Sequence, residues 1–153
     1  KVDEYTTDLV DSGKYAAVEQ PVIDIEYTEM PVYNEPAAAG IGNYLQDSTY
    51  EMMSFPADSI PAGTDFGIRI SGDSMEPIIK DGSIIWVKQQ IEIENGEVGI
   101  FVLNNDAYCK RLHIDYDKKI VELISDNTNY KPIVIKTIDS LRTVGKVLFN
   151  KVR

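Results

Sequence analysis

The chain has few of the residues that metal, disulfide and redox sites require. Its 153 residues include one cysteine, Cys109, and one histidine, His113. A single cysteine excludes an internal disulfide, and one histidine leaves no cluster of ligands for a zinc site. Neither a paired-cysteine motif nor a glycine-rich phosphate loop occurs in the sequence. We therefore predict a protein that uses no metal and no cofactor and that works in a reducing compartment.

Basic residues and long apolar runs are also scarce. Fifteen lysines and arginines against 25 aspartates and glutamates give a net charge of −10 and a pI near 4.5. Such a chain repels phosphate backbones and anionic lipid, so we do not expect it to bind DNA by itself. No apolar run approaches the roughly 20 residues of a membrane-spanning helix, and the N-terminus lacks the order of a signal peptide. These absences predict a soluble cytoplasmic protein that does not contact a membrane.

Length and composition predict one domain with a lead-in segment. Hydrophobic residues make up 43% of the chain, which is enough for one core. Residues 1–30 are interpreted as a linker and lead-in, and residues 31–153 as the domain. Small residues dominate 34–43, which is either an ordinary flexible loop or an extended segment that another site can grip closely. Because the chain starts at Lys1 rather than at methionine, we interpret it as part of a longer protein.

Short apolar, β-branched and aromatic runs recur to the end of the chain. Turn residues such as Asp81-Gly82, Asn95-Gly96 and Asn104-Asn105 separate them. Pro21 and Pro31 bracket the first run, which favours an edge strand there. The pattern predicts an all-β fold of mostly short antiparallel strands, arranged as a coiled sheet or a partly open barrel. The predicted strands are 22–33, 66–70, 83–88, 98–103, 107–114, 119–124, 132–136 and 143–149.

The stretch 66–82 carries the first candidate site residue. Its first five residues alternate as a half-buried strand does, and the pattern breaks at Gly72. Ser74 then opens a short helical turn that Gly82 ends, because serine accepts hydrogen bonds from free amides and glycine tolerates the exit conformation. Backbone N–H groups at a helix start point outward, so a hydroxyl and an anion site coincide. Ser74 is therefore either a helix cap alone or a nucleophile.

Lys110 is the candidate base. On a strand it shares a face with Leu112, so it points toward apolar surroundings. A lysine there is either a solvated edge residue or, with its pKa lowered by burial, the base of a Ser-Lys dyad. His113 is the alternative base, for a Ser-His-Asp triad, but it is typical of an ordinary surface histidine. The residues alone do not choose between these interpretations.

Two motifs together resemble a known family. Residues 71–77 read Ser-Gly-Asp-Ser-Met-Glu-Pro and residues 109–112 read Cys-Lys-Arg-Leu. They resemble the C-terminal domain of LexA, of the UmuD mutagenesis proteins and of the self-cleaving repressors of temperate phages, an S24-type Ser-Lys peptidase. Lys110 follows Ser74 by 36 residues, close to the habit of that family. The segment 127–134 also matches, and the resemblance covers about residues 32–148.

The resemblance implies a self-cleaving site. In the family the second serine of the first motif is the nucleophile and the lysine of the second is the base, which implies these roles for Ser74 and Lys110. The family cuts its own chain at an Ala-Gly or Cys-Gly bond roughly 35 residues before the serine, and Ala39-Gly40 lies 35 residues before Ser74. Ala38-Ala39 is a weaker candidate, because the family places glycine after the cut. From the turn geometry, we expect the backbone N–H groups of Asp73 and Ser74 to hold the oxyanion.

The resemblance also implies partners. Members dimerise through this domain, respond to RecA filaments or to a phage antirepressor, and bind operator DNA through an N-terminal domain that this chain lacks. We expect a homodimer formed through strands such as 144–149, and self-cleavage that ends repression after DNA damage. The alternative is a module that dimerises and binds an antirepressor with an idle dyad. A secretory signal peptidase, which shares the dyad, is disfavoured because the sequence has no membrane anchor.

Overall fold

The computed structural model describes residues 23–34 and 50–150, and in them the chain is almost entirely β-structure. One short 3-10 helix, Ala57–Ser59, interrupts the strands, and this part of the chain contains no α-helix. No helix in these residues has the length and apolar character to cross a membrane. The strands are β1 (Tyr27–Tyr33), β2 (Tyr50–Pro56), β3 (Phe66–Arg69), β4 (Ile84–Gln89), β5 (Val98–Leu103), β6 (Asp106–Asp115), β7 (Ile120–Ile124), β8 (Ile133–Val134) and β9 (Leu141–Leu148).

All nine strands join one open sheet in the order β2-β1-β3-β4-β9-β5-β6-β7-β8. Every neighbouring pair is antiparallel except β1 with β3. The last strand, β9, lies in the middle of the sheet, between β4 and β5, and so joins its two halves. The predicted all-β fold of mostly antiparallel strands is confirmed. The open order, with β2 and β8 at its edges, agrees with a coiled sheet.

Apolar side chains form two clusters on this sheet. The larger cluster draws on β1, β3, β4, β5, β6 and β9 and on the turn after β3, and Ile68 and Ile100 are fully buried in it. The smaller cluster joins Phe101, Leu112 and Leu123, on β5, β6 and β7. Strand alternation explains the division, since Ile100 and Phe101 are neighbours in sequence but face opposite sides of β5. The candidate site lies on strand β6 and on the turn after β3.

The first predicted strand is not an edge strand, because β1 pairs with β2 on one side and with β3 on the other. The short helical turn predicted after Ser74 is present as a single turn, closed by the bond from Ile79 N to Met75 O at 2.9 Å. Glu76 precedes Pro77, and the residue before a proline is disfavoured in helical conformation, so a longer helix does not form. In the apolar run 144–149, Val144 and Val147 are buried in the larger cluster, whereas Phe149 is exposed.

Candidate active site

The turn that carries Ser74 is closed by backbone hydrogen bonds where it leaves β3 and where it enters β4. Ile70 and the two residues 82 and 83 exchange hydrogen bonds of 2.8 Å, so β3 and β4 are joined on both sides of the excursion. Gly82 has a φ of 83°, a left-handed conformation that favours glycine. Inside the excursion, Gly72 N donates to Asp81 Oδ1 at 2.8 Å. The Asp81-Gly82 pair predicted as a turn therefore also holds the beginning of the loop.

Apolar contacts hold the same turn from below. Met75 and Ile79 are 1% and 3% exposed and belong to the larger core cluster. Ser74 immediately precedes Met75 and is half-buried. The buried Met75 side chain therefore places Ser74 at the boundary between the core and the surface, where the Ser74 hydroxyl is accessible.

Lys110 approaches this hydroxyl from the sheet. It lies on β6 opposite Gly99 of β5, and only 7% of its surface is exposed. Its Nζ lies 2.9 Å from Ser74 Oγ, and in the charged state the ammonium donates to that oxygen. Burial lowers the pKa of the Lys110 amine below the ordinary lysine value. The lysine is thus not the solvated edge residue that the sequence left as an alternative.

An open cleft of about 420 Å³ lies beside the pair. The rings of Tyr108 and Tyr130 lie on its walls, with centroids 6.0 Å and 5.7 Å from Lys110 Nζ. The ring faces attract a cation at such distances, and the two rings also exclude water from the Lys110 amine. Ser125, which is buried, lines the same cleft. The cleft therefore gives the amine an environment that is partly apolar yet open to a polypeptide.

The other candidate residues lie elsewhere or outside the described part of the chain. His113 is on β6 but pairs with Glu122 at 3.1 Å, and it does not line the cleft. The segment 35–49, which contains Ala38, Ala39 and Gly40, lies outside the described residues. Burial raises the pKa of the Cys109 thiol to about 12, so this cysteine is not a nucleophile. Within residues 23–34 and 50–150, no three metal-ligating side chains come together.

Sequence reasoning gave no role to two residues that hold the serine turn. Asn127 N donates to Ser74 O at 3.0 Å, and Asn127 Nδ2 donates to Asp73 O at 3.1 Å. The Tyr130 hydroxyl donates to Asp73 Oδ1 at 2.5 Å, and this bond raises the pKa of the phenol. Both residues lie in the segment 127–134 that carried part of the family resemblance. That match was the available signal, but contacts across more than 50 residues do not follow from it.

The described residues thus form an open β-sheet in which a serine lies within hydrogen-bond distance of a buried lysine. Residues 31–148 match the family described as Peptidase S24-like, so the chain belongs to this family and the predicted resemblance is confirmed. It is 35% identical over 115 residues to a LexA repressor of Oleidesulfovibrio alaskensis. It is 32% identical over 130 residues to that of Syntrophomonas wolfei, and 35% identical over 124 residues to that of Bacillus cytotoxicus.

These matches involve most of this chain but only part of each relative. They cover 74%, 84% and 78% of the chain, and 55%, 61% and 57% of the respective LexA repressors. The chain therefore spans a little more than half the length of the curated relatives it matches. The relationship supports a domain of LexA-repressor type.

Proposed function

We propose that this chain is the self-cleaving C-terminal domain of a transcriptional repressor of LexA or phage-repressor type, with Ser74 as nucleophile and Lys110 as base. The observation that carries the proposal is the 2.9 Å contact between Lys110 Nζ and Ser74 Oγ beside an open cleft. A serine becomes a useful nucleophile when an adjacent base takes its proton. A lysine becomes that base when burial lowers its pKa, as it does for Lys110.

The proposed substrate is the chain's own bond Ala39-Gly40. Neutral Lys110 takes the hydroxyl proton while Ser74 Oγ attacks the Ala39 carbonyl carbon. The tetrahedral intermediate then expels the Gly40 nitrogen, which receives the proton back from the Lys110 ammonium. Water next hydrolyses the ester between Ala39 and Ser74, with Lys110 again as the base. Because nucleophile and substrate share one chain, the rate depends on docking of the loop rather than on concentration.

The oxyanion is proposed to accept hydrogen bonds from the backbone N–H groups of Asp73 and Ser74. Neither group donates to another residue in the described part of the chain, so both are available. Backbone donors are suited to this task because they keep their direction while charge develops on the carbonyl oxygen. The open space beside Gly72 and Asp73, which line the cleft, admits an extended polypeptide.

In the proposed biological role, cleavage ends repression in the bacterial cytoplasm after a DNA-damage signal. The trigger is a RecA filament or a phage antirepressor, and operator DNA is bound by a separate domain, not by this acidic chain. We propose a homodimer through the end of β9. Ile78 and Phe149 are 57% and 50% exposed there and line one apolar cleft with Trp86, which supports that surface.

The test is to incubate the purified chain at alkaline pH and to weigh the products. We expect two fragments, one ending at Ala39 and one beginning at Gly40, with a rate that is independent of protein concentration. The variant Ser74→Ala, folded by circular dichroism, should remain intact under the same conditions. Cleavage between Ala38 and Ala39 instead would leave the roles of Ser74 and Lys110 unchanged and would change only the assignment of the scissile bond.

A folded parent chain that stays intact at every pH would contradict the self-cleaving assignment. The chain would then act as a dimerisation and antirepressor-binding module with an idle dyad. Sedimentation distinguishes a non-cleaving dimer from a chain that neither cleaves nor dimerises. It is measured at tens of micromolar, well above ordinary dimer dissociation constants. A monomer at that concentration would contradict the proposed dimer.

A further inference from the structure

The loop that follows β7 is hydrogen-bonded to the turn that carries Ser74 at three points. Asn127 donates from its backbone N to Ser74 O at 3.0 Å and from Nδ2 to Asp73 O at 3.1 Å. Tyr130 adds the bond from its hydroxyl to Asp73 Oδ1. These contacts hold two consecutive carbonyl oxygens and the Asp73 side chain. Residues 127–130 are called the support loop below.

The second of these bonds, together with the bond from Glu76 N to the same Asp73 O at 3.1 Å, fixes the plane of the peptide between Asp73 and Ser74. In a trans peptide the C=O and the N–H point in opposite directions. Because Asp73 O accepts from Asn127 Nδ2, the N–H of Ser74 points away from Asn127. That N–H donates to no residue in the parts of the chain that the structure describes. Its direction is therefore set by Asn127 together with Glu76, and its hydrogen is available to a ligand.

We infer that Asn127 is a positioning residue that aims the Ser74 N–H at the developing oxyanion, and that Tyr130 steadies the same turn through Asp73. This inference rests on the proposed function, since it needs Ser74 to be the nucleophile. Asn127 does not touch the reacting atoms and acts only through the peptide plane. Tyr130 acts one step further away, through the Asp73 side chain.

The chemistry of Asn127 explains why an amide is needed there. Its Oδ1 accepts from Asn129 N at 3.0 Å, which holds the support loop itself, while its Nδ2 holds Asp73 O. A carboxylate of the same shape accepts hydrogen bonds but cannot donate them. Asn127→Asp therefore keeps the bond inside the support loop and loses only the bond to the turn. Asn127→Ala loses both without adding charge.

The test measures the rate of self-cleavage against pH for the parent and four variants. Asn127→Ala and Asn127→Asp should each lower the alkaline plateau by about 5- to 50-fold, because the oxyanion donor is misdirected in part while Glu76 N still holds Asp73 O. Tyr130→Phe, which keeps the ring, should lower it by about two- to tenfold, as expected for one exposed hydrogen bond. Asn129→Ala is the matched control on the same loop and should stay within about twofold of the parent.

The shape of the profile separates positioning from a general structural effect. In Asn127→Ala the pH midpoint should equal that of the parent, because Lys110 still supplies the base. A loosened, hydrated cleft would instead move the midpoint toward the ordinary lysine value. Plateau rates are compared where Lys110 is already neutral, so that the added charge of Asn127→Asp does not alter the comparison. Unfolding in urea, in a Ser74→Ala background, verifies that each variant is folded.

The outcomes for this inference and for the proposed function differ. If the parent cuts itself and both Asn127 variants cut at the parental plateau rate, Asn127 does not position the donor and only the inference is wrong. The inference would also be wrong if the variants cut more slowly only below the plateau, since Asn127 would then act through the pKa of Lys110. If the parent does not cut, the proposed function is wrong and the inference falls with it.

Discussion

Ser74 and Lys110 reach the same cleft from two different kinds of backbone. Lys110 lies inside β6, which pairs with β5 on one side and with β7 on the other, and its register opposite Gly99 belongs to a continuous ladder. Ser74 lies in an irregular excursion between β3 and β4, which is held by individual hydrogen bonds and by the buried side chain of Met75.

This difference separates two ways of placing a reactive group. A strand residue is positioned by many ladder bonds, so the loss of one contact is shared among the rest. A residue on an irregular turn depends on a few specific contacts, and each of them matters more. We therefore expect single substitutions around Ser74 to alter cleavage beyond their effect on stability. Substitutions of strand residues near Lys110 should alter stability alone, unless they remove the amine or the rings that line its cleft.

Removing the amine has the largest expected effect. Lys110→Met should lower the rate of self-cleavage by about 10²- to 10⁴-fold, the usual contribution of a general base. The measurement is the appearance of fragments by mass spectrometry at alkaline pH. The free energy of unfolding should not fall, because a buried lysine with a lowered pKa binds its proton less well folded than unfolded, which disfavours folding below the ordinary lysine pKa.

Lys131→Met is the matched control for this change. Lys131 lines the same cleft but is exposed, so its amine is not expected to act as the base. The control should cut at nearly the parental rate. If instead the Lys131 variant lost activity and the Lys110 variant kept it, the two lysines would have to exchange roles.

Strand alternation and turn chemistry explain why the lysine side could be predicted from the sequence. The period of two placed Lys110 with Leu112, and the structure has both buried. The Asn104-Asn105 turn between β5 and β6 was also predicted, and both residues have the positive φ that asparagine tolerates. The register opposite Gly99 then follows from this short turn.

The serine side could be predicted only in part. The end of β3 and the Asp81-Gly82 turn follow from local residues, but the support loop lies more than 50 positions away in sequence. No local pattern indicates that Asn127 contacts Asp73, since an asparagine after a strand is typical of any turn. The central place of β9 was missed for the same reason, because an apolar run at the end of a chain does not reveal its neighbours.

The second-largest effect compares two buried side chains, one on each side of the site. Met75→Ala and Leu112→Ala should each lower the free energy of unfolding by ~2–5 kcal/mol, because both leave a cavity in the core. Under conditions where both variants are folded, Met75→Ala should also slow cleavage, and Leu112→Ala should not. Urea unfolding in a Ser74→Ala background gives the stabilities. Met52→Ala, on an exposed methionine of β2, is the control and should change neither quantity.

The next effect is the response of the parent to pH. The rate should rise about tenfold per unit of pH while Lys110 is mostly protonated, and level off above its pKa. Because burial lowers that pKa, the plateau should begin below the ordinary lysine value of about 10.4. The hydrogen bond to Asp73 raises the pKa of the Tyr130 phenol above its ordinary value. A rate that is flat from about pH 7 to about pH 10 would contradict a lysine base.

The smallest effect concerns an ion pair that joins the two sides. Arg111, next to Lys110 on β6, donates from Nε and Nη2 to the two carboxylate oxygens of Asp126, each at 2.9 Å, and from Nη1 to Gly96 O at 2.7 Å. Asp126 in turn precedes Asn127 of the support loop. The Arg111 side chain is 36% exposed, so solvent screens the pair, and Asp126→Asn should lower the free energy of unfolding by no more than ~1 kcal/mol.

Salt dependence and a matched control identify the source of that small loss. Asp117→Asn makes the same change of charge at an exposed residue that forms no ion pair within the described residues, and it should leave stability unchanged. Raising the salt concentration should shrink the difference between parent and Asp126→Asn, because screening weakens an exposed pair first. If cleavage by Asp126→Asn slowed while its stability stayed at the parental value, the ion pair would act on Ser74 through Asn127. The strand and the turn would then be coupled, and the two sides of the site would not be independent.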